Sequence, residues 1–162
     1  MEELPAGARD FDFIHGSWFV RHRRLKDRLV GSLDWQEFGG SMVAEPILGG
    51  LGNFDRNVID LPAGPYEACT LRLFDPRTSL WSIHWIDGRD PQVGPPVVGS
   101  FANGAGLFIG SDVLDGRPIS VRFQWSGITA SSARWEQAFS ADGGDSWELN
   151  WEMEFRRSEA ER

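Results

Sequence analysis

Turn-forming residues interrupt this chain roughly every 8–15 residues, and the segments between them alternate bulky apolar with polar side chains. A period of two belongs to strands with one buried face, and it leaves no convincing long helix. The pattern is clearest in Trp147-Glu-Leu-Asn-Trp151-Glu-Met-Glu-Phe155. Leu149, Trp151, Met153 and Phe155 share one face there, and Glu148, Asn150, Glu152, Glu154 and Arg156 share the other, which must be wet. Ile119, Val121, Phe123 and Trp125 alternate with Ser120, Arg122 and Gln124, and Trp135, Gln137 and Phe139 alternate with Arg134 and Glu136.

Strands are predicted near 17–28, 32–44, 54–61, 66–74, 79–87, 97–103, 106–114, 118–126, 132–140 and 147–157, with one helical turn at Asp10-Phe-Asp-Phe-Ile-His15. The short connections Asn103-Gly-Ala-Gly106, Asp115-Gly-Arg-Pro118 and Ala141-Asp-Gly-Gly-Asp-Ser146 require antiparallel neighbours, since a parallel pair needs a crossover of about a dozen residues. A meander of about ten strands has two edges to hide, and closure into a barrel hides both. The expected fold is therefore all-β: an antiparallel up-and-down barrel with a short N-terminal helical turn.

A chain of 162 residues buries roughly 70% of its unfolded surface, which suits one domain. That domain is expected over 10–157, with flexible segments at 1–9 and 158–162. A net charge of −8 opposes nucleic-acid phosphates and anionic lipid, so neither partner is expected. No apolar run approaches the ~20 residues of a membrane span, the N-terminus lacks signal-peptide features, and a single Cys69 fits a reducing compartment, so a cytoplasmic location is expected. Cys69 reads as a buried, inert thiol. The basic run Arg21-His-Arg-Arg-Leu-Lys26 with Arg28 reads as a solvated strand face, with anion binding as the alternative. Monomer and homodimer both remain open.

Eight tryptophans in such a chain mean either a densely packed core or the walls of a pocket. Trp35, Trp85, Trp135 and Trp151 are the candidate walls. His22, Arg72, His84, Arg122, Gln124 and Gln137 are the candidate polar contacts, although the pattern leaves the orientation of Arg122, Gln124 and Gln137 open. His22 shares parity with Trp18, Val20 and Arg24, whereas His84 lies on the face opposite Trp81 and Trp85. The segments Glu45-Pro-Ile-Leu-Gly-Gly-Leu-Gly-Asn53 and Asp87-Gly-Arg-Asp-Pro-Gln-Val-Gly-Pro-Pro96 are ordinary connections or, alternatively, a lid at one barrel mouth. No nucleophile elbow, Cys/His arrangement or H-E-x-x-H pair is present, and three separated histidines show no metal-ligand spacing. Ser140-Ala-Asp142-Gly-Gly144-Asp-Ser-Trp147 matches the Asp-box S-x-D-x-G-x-x-W, read here as a hairpin staple.

Gly16-Ser17-Trp18 resembles the G-x-W signature of lipocalins and other calycin barrels, whose Trp plugs one barrel end beneath a basic residue of the last strand, here Arg156 or Arg157. Residues 11–157 resemble a bacterial lipocalin-like family catalogued as a domain of unknown function and distantly similar to lipocalins, fatty-acid-binding proteins and nitrobindins. The resemblance rests on Phe11-Asp-Phe-Ile-His-Gly-Ser-Trp18, Leu48-Gly-Gly-Leu-Gly-Asn53, Leu71-Arg-Leu-Phe-Asp-Pro76, Trp81-Ser-Ile-His-Trp85 and Arg134-Trp-Glu-Gln-Ala-Phe-Ser140. It implies a calycin-like barrel and supplies no catalytic residues. Nitrobindin-like barrels hold haem through a histidine near the C-terminus. The histidines here are His15, His22 and His84, so no cofactor is expected.

The first functional expectation is a barrel that binds a small, largely hydrophobic or aromatic molecule. An isomerase- or cyclase-type enzyme on the same scaffold and a closed-core structural or interaction module are the alternatives.

Overall fold

The structure, a computed structural model, describes residues 3–158. Of the two predicted flexible ends, residues 1–2 and 159–162 lie outside the described residues. The ten strands are β1 (Gly16–Leu25), β2 (Trp35–Ile47), β3 (Gly52–Ile59), β4 (Tyr66–Asp75), β5 (Leu80–Asp87), β6 (Val97–Ala102), β7 (Ala105–Leu114), β8 (Arg117–Ser126), β9 (Ser132–Ser140) and β10 (Glu148–Arg157). Each pairs antiparallel with its neighbours in the chain, and β1 pairs with β10, so the sheet is a closed up-and-down barrel as the turn spacing predicts. No helix among the described residues is long and apolar enough to cross a membrane.

One barrel end is sealed by the N-terminal segment. A 3-10 turn at Asp12–Ile14 carries Phe11 and Ile14 inward, and Ala8, Phe11 and Ile14 are all buried. Phe11 packs edge-on against Trp81 and Phe101, with ring centroids 4.9 and 4.8 Å away. Ala8 N–H donates to Pro5 O at 3.1 Å, and the Trp81 indole N–H donates to Gly7 O at 3.1 Å. Residues 4–9 are thus part of the fold, in contrast to the loose segment that their composition suggests. A short segment gains order when it covers an apolar barrel end, a tertiary effect that local composition does not carry.

Trp18 fills the centre of this closed end. Its indole N–H donates to Ile14 O at 2.8 Å, and the Arg157 guanidinium lies 4.1 Å from its ring centroid. Arg157 also clamps the end through backbone carbonyls, donating to His15 O at 2.7 Å, Phe13 O at 2.8 Å and Ala130 O at 3.0 Å. Arg157, facing Trp18 across the β1–β10 register, is the covering residue rather than Arg156.

Two local readings change. Glu45, Pro46 and Ile47 extend β2, Gly52 and Asn53 begin β3, and Leu48–Gly50 is a tight turn in which Gly49 and Gly50 take φ of 65° and 99°. This turn stands at the sealed end, a Cβ at Gly50 falling 2.8 Å from Leu4 Cδ1, whereas the loop after β5 stands at the opposite end. The two segments therefore do not form one lid. In β10 a bulge between Leu149 and Trp151 turns Asn150 inward and fully buries it, against the simple alternation.

The Asp-box closes the β9–β10 hairpin. The Ser140 hydroxyl donates to Asp142 Oδ1 at 2.7 Å and accepts from Gly144 N–H at 2.9 Å, while Ser146 N–H donates to Asp142 Oδ1 at 2.9 Å. The side-chain and backbone hydrogen bonds from Ser146 hold the Asp142 carboxyl down at about 2. The motif is built as a turn staple.

Candidate functional site

Strand parity divides the candidate residues. His22, Arg72, Trp85, Trp135, Gln137 and Trp151 point into the barrel. Trp35, His84, Arg122 and Gln124 have the opposite parity from their buried strand neighbours and lie on the outer surface. Trp35 there supports Arg23, whose guanidinium is 4.0 Å from the ring centroid, and Arg122 covers Trp147 at 4.6 Å. These four residues do not share the interior with the other six, because a period-two strand cannot present adjacent residues to one face. Cys69 is half-buried on the outer side of β4, and burial pushes its thiol pKa up, away from the reactive thiolate.

The interior is layered. Next to the sealed end, Asp55 and Arg72 form a buried ion pair of 2.7 Å. Asp55 Oδ1 also accepts from Asn57 Nδ2 at 2.7 Å and Thr70 N–H at 2.9 Å, and Arg72 donates to Asn53 Oδ1 at 2.8 Å. Sequence reasoning named Arg72 and missed its partners. The signal was the unusual strand 53–59, where Asn53, Asp55 and Asn57 share the face of Ile59 and Phe54 and Val58 face out. Between this network and Met42, Trp85, Phe123, Trp135 and Met153 is a cavity of about 20 Å³, the scale of one water molecule and too small for an organic ligand.

The middle layer is set by His22 and Trp151. The Trp151 indole N–H donates to His22 Nδ1 at 3.1 Å, and His22 stacks on Phe38 with centroids 4.9 Å apart. Burial, with a smaller contribution from Arg24, lowers the His22 pKa to about 4, so the ring is a neutral acceptor. Trp151 meets Trp85 and Trp135 edge-to-face at 5.5 and 5.4 Å.

The His22 arrangement fixes an acid response. Unfolded His22 takes up a proton near 6.5 and folded His22 only near 4, so stability is full above 6.5 and declines as pH falls between these values. The expected loss is about 3 kcal/mol over that window, from about 1.4 kcal/mol per pH unit. Urea unfolding of wild type and His22→Gln at pH 7, 5.5 and 4.5 checks it. The difference between the two proteins should shrink steadily toward low pH, and a constant difference would contradict the assignment.

Toward the open mouth is a second chamber of about 110 Å³, bounded by Ile83, Trp85, Val97, Val121, Phe123 and Phe139, with Gln137, Ser111 and Asp112 as its polar groups. Gln137 is held by donating to Asn150 Oδ1 at 2.9 Å. Gly94 and Pro95 of the β5–β6 loop form its outer boundary. The loop between β1 and β2 crosses the mouth from the other side. Leu29, at φ 61°, packs against the core, and its N–H donates to Glu148 Oε1 at 2.8 Å.

Among the described residues no group of three or more His, Cys, Asp or Glu side chains is arranged to hold a metal ion. Haem does not fit the interior: His22 is committed to Trp151, His84 faces out, and neither chamber approaches the size of a porphyrin.

No protein-family model matches the chain, and no curated protein matches it. Among solved structures it is similar to a redesigned β-barrel, at 11% sequence identity with a TM-score of 0.51, over 98% of this chain and 100% of that one. That likeness concerns the fold alone.

Proposed function

We propose that this protein is a lipocalin-like barrel that binds a small, largely apolar or aromatic molecule in the mouth-side chamber. The observation that carries the reading is the chamber itself: apolar and aromatic walls, with Gln137, Ser111 and Asp112 also bordering it, and a position beneath the loops of one end. Its volume sets the scale of the ligand. Drug-sized ligands occupy roughly 300–1,000 Å³, so about 110 Å³ favours a compact molecule over a long lipid. The closed-core alternative describes the other half of the barrel, where Phe11, Trp18, Trp81 and Phe108 are packed to burial. The enzyme reading would draw on His84 or an arginine to handle charge, and of these His84 stands outside the barrel.

Titration with one-ring aromatics, followed by tryptophan fluorescence and by native mass spectrometry of the freshly purified protein, tests the proposal. Saturable quenching or a retained small mass is expected, through Trp85 and its neighbour Trp151. If neither appears for any such compound, the interior is simply core.

A further inference from the structure

The mouth of an acidic protein is lined with arginines. Arg24 follows His22 into the barrel at the end of β1, half-buried, with its guanidinium 4.5 Å from the Trp151 ring centroid. Arg28 comes from the loop across the mouth, also half-buried, 5.7 Å from the Phe139 ring centroid. Arg89 lies 3.7 Å over the ring of Tyr66 and is paired with Asp87 at 2.8 Å. Among the described residues, Arg24 and Arg28 have no carboxylate within ion-pair distance. Arg24 Nε is buried without a hydrogen-bond partner of good geometry, and so is the Tyr66 hydroxyl.

This arrangement is costly by itself. Desolvation lowers the pKa of both Arg24 and Arg28, and Arg24 adds to the effect on Arg28 by like-charge repulsion. Tyr66 beside Arg24 softens it, as do Asp87 and Asp115 from further away, but among the described residues no carboxylate pairs with either guanidinium. Partly buried cations without paired anions are stabilised when an anion from outside supplies the missing hydrogen-bond acceptors. The site also adjoins the chamber through shared rings: Phe139 lies under Arg28, and Trp151 under Arg24 touches Trp85, both Phe139 and Trp85 being chamber walls.

We propose that Arg24 and Arg28 seat the carboxylate of a one-ring aromatic acid whose ring enters the chamber. The inference rests on the chamber being a binding site. Although two cations could balance a dianion, a carboxylate is favoured over a phosphate monoester because a dianion costs more to desolvate beside apolar walls. The volume sets one ring as the upper limit, since benzene occupies an apolar cavity of about 150 Å³ and this chamber is about 110 Å³. Arg24 and Arg28 are binding residues, and Arg89, neutralised by Asp87, shapes the rim.

Calorimetric titration with phenylacetate, its neutral isostere phenylacetamide, and toluene tests this on wild type, Arg24→Met and Arg28→Gln. Arg28→Gln lies in a loop and removes a charge that no protein carboxylate pairs with, so folding should survive it. Wild type should bind phenylacetate at least tenfold tighter than phenylacetamide, and each substitution should erase that preference while leaving toluene binding within about twofold. If phenylacetamide binds as well as phenylacetate, or phenylacetate is indifferent to both substitutions, the carboxylate seat is overturned while the chamber reading stands. The same holds if toluene binds and phenylacetate does not. If none of the three binds, the chamber reading fails and takes the seat with it.

Discussion

Asp55→Ala should destabilise the protein by about 3–5 kcal/mol, the scale for removing one partner of a buried ion pair. The carboxylate accepts from Arg72 Nη2, Asn57 Nδ2 and the Thr70 N–H at once, and Asp55 and Arg72 are 1% and 4% exposed. Its loss strands a guanidinium among Phe11 and Trp125, 5.3 and 5.8 Å from their ring centroids, beside a cavity of only about 20 Å³. Arg72→Met alone should also destabilise, leaving a buried carboxylate. The double replacement Asp55→Leu with Arg72→Met should recover much of the loss, because well-packed apolar residues frequently equal a buried pair in stability. Urea melts of wild type, Asp55→Leu, Arg72→Met and the Asp55→Leu/Arg72→Met double variant form the cycle, with Asp55→Ala measured beside them. A single-variant cost under about 1 kcal/mol, or additivity in the double variant, would mean that the two side chains do not form this pair.

The same network explains where sequence reasoning stopped. Alternation located every strand and the closed meander, because burial of one face imprints period two on the residues that make it. Trp85, Trp135 and Trp151, named as possible walls without a settled orientation, face inward. Alternation placed Trp35 wrongly among the walls, since an outward tryptophan resting under Arg23 has the same local pattern as an inward one. Asn53, Asp55 and Asn57 escaped notice because an inward polar stripe looks like a wet face until Arg72 is set beside it by the β3–β4 register. The Asn150 bulge escaped for a similar reason: one extra residue reverses parity, and only pairing with β9 reveals it. Arg24 shares parity with His22 and was legible as inward, but Arg28 joins it only because the loop folds back over the mouth.

Trp18→Ala tests whether the two ends of the barrel are as separate as this layering implies. The indole is 1% exposed, donates to Ile14 O and is covered by Arg157. Removing it opens a cavity at the sealed end, orphans a carbonyl and ends the cation–π contact, which together should cost about 3–5 kcal/mol. Arg157→Lys should cost less, since the ammonium keeps the charge over the ring but cannot serve the carbonyls of Phe13, His15 and Ala130 together. Ligand binding should respond differently. Trp18 does not border the chamber of Ile83, Trp85 and Phe139, so folded Trp18→Ala protein should bind a one-ring ligand within about twofold of wild type. Urea melts read the first effect, and titration at a temperature well below the variant's Tm reads the second. A large loss of affinity in fully folded Trp18→Ala would mean that the sealed end sets the shape of the mouth, and the barrel would then have to be treated as one coupled cavity.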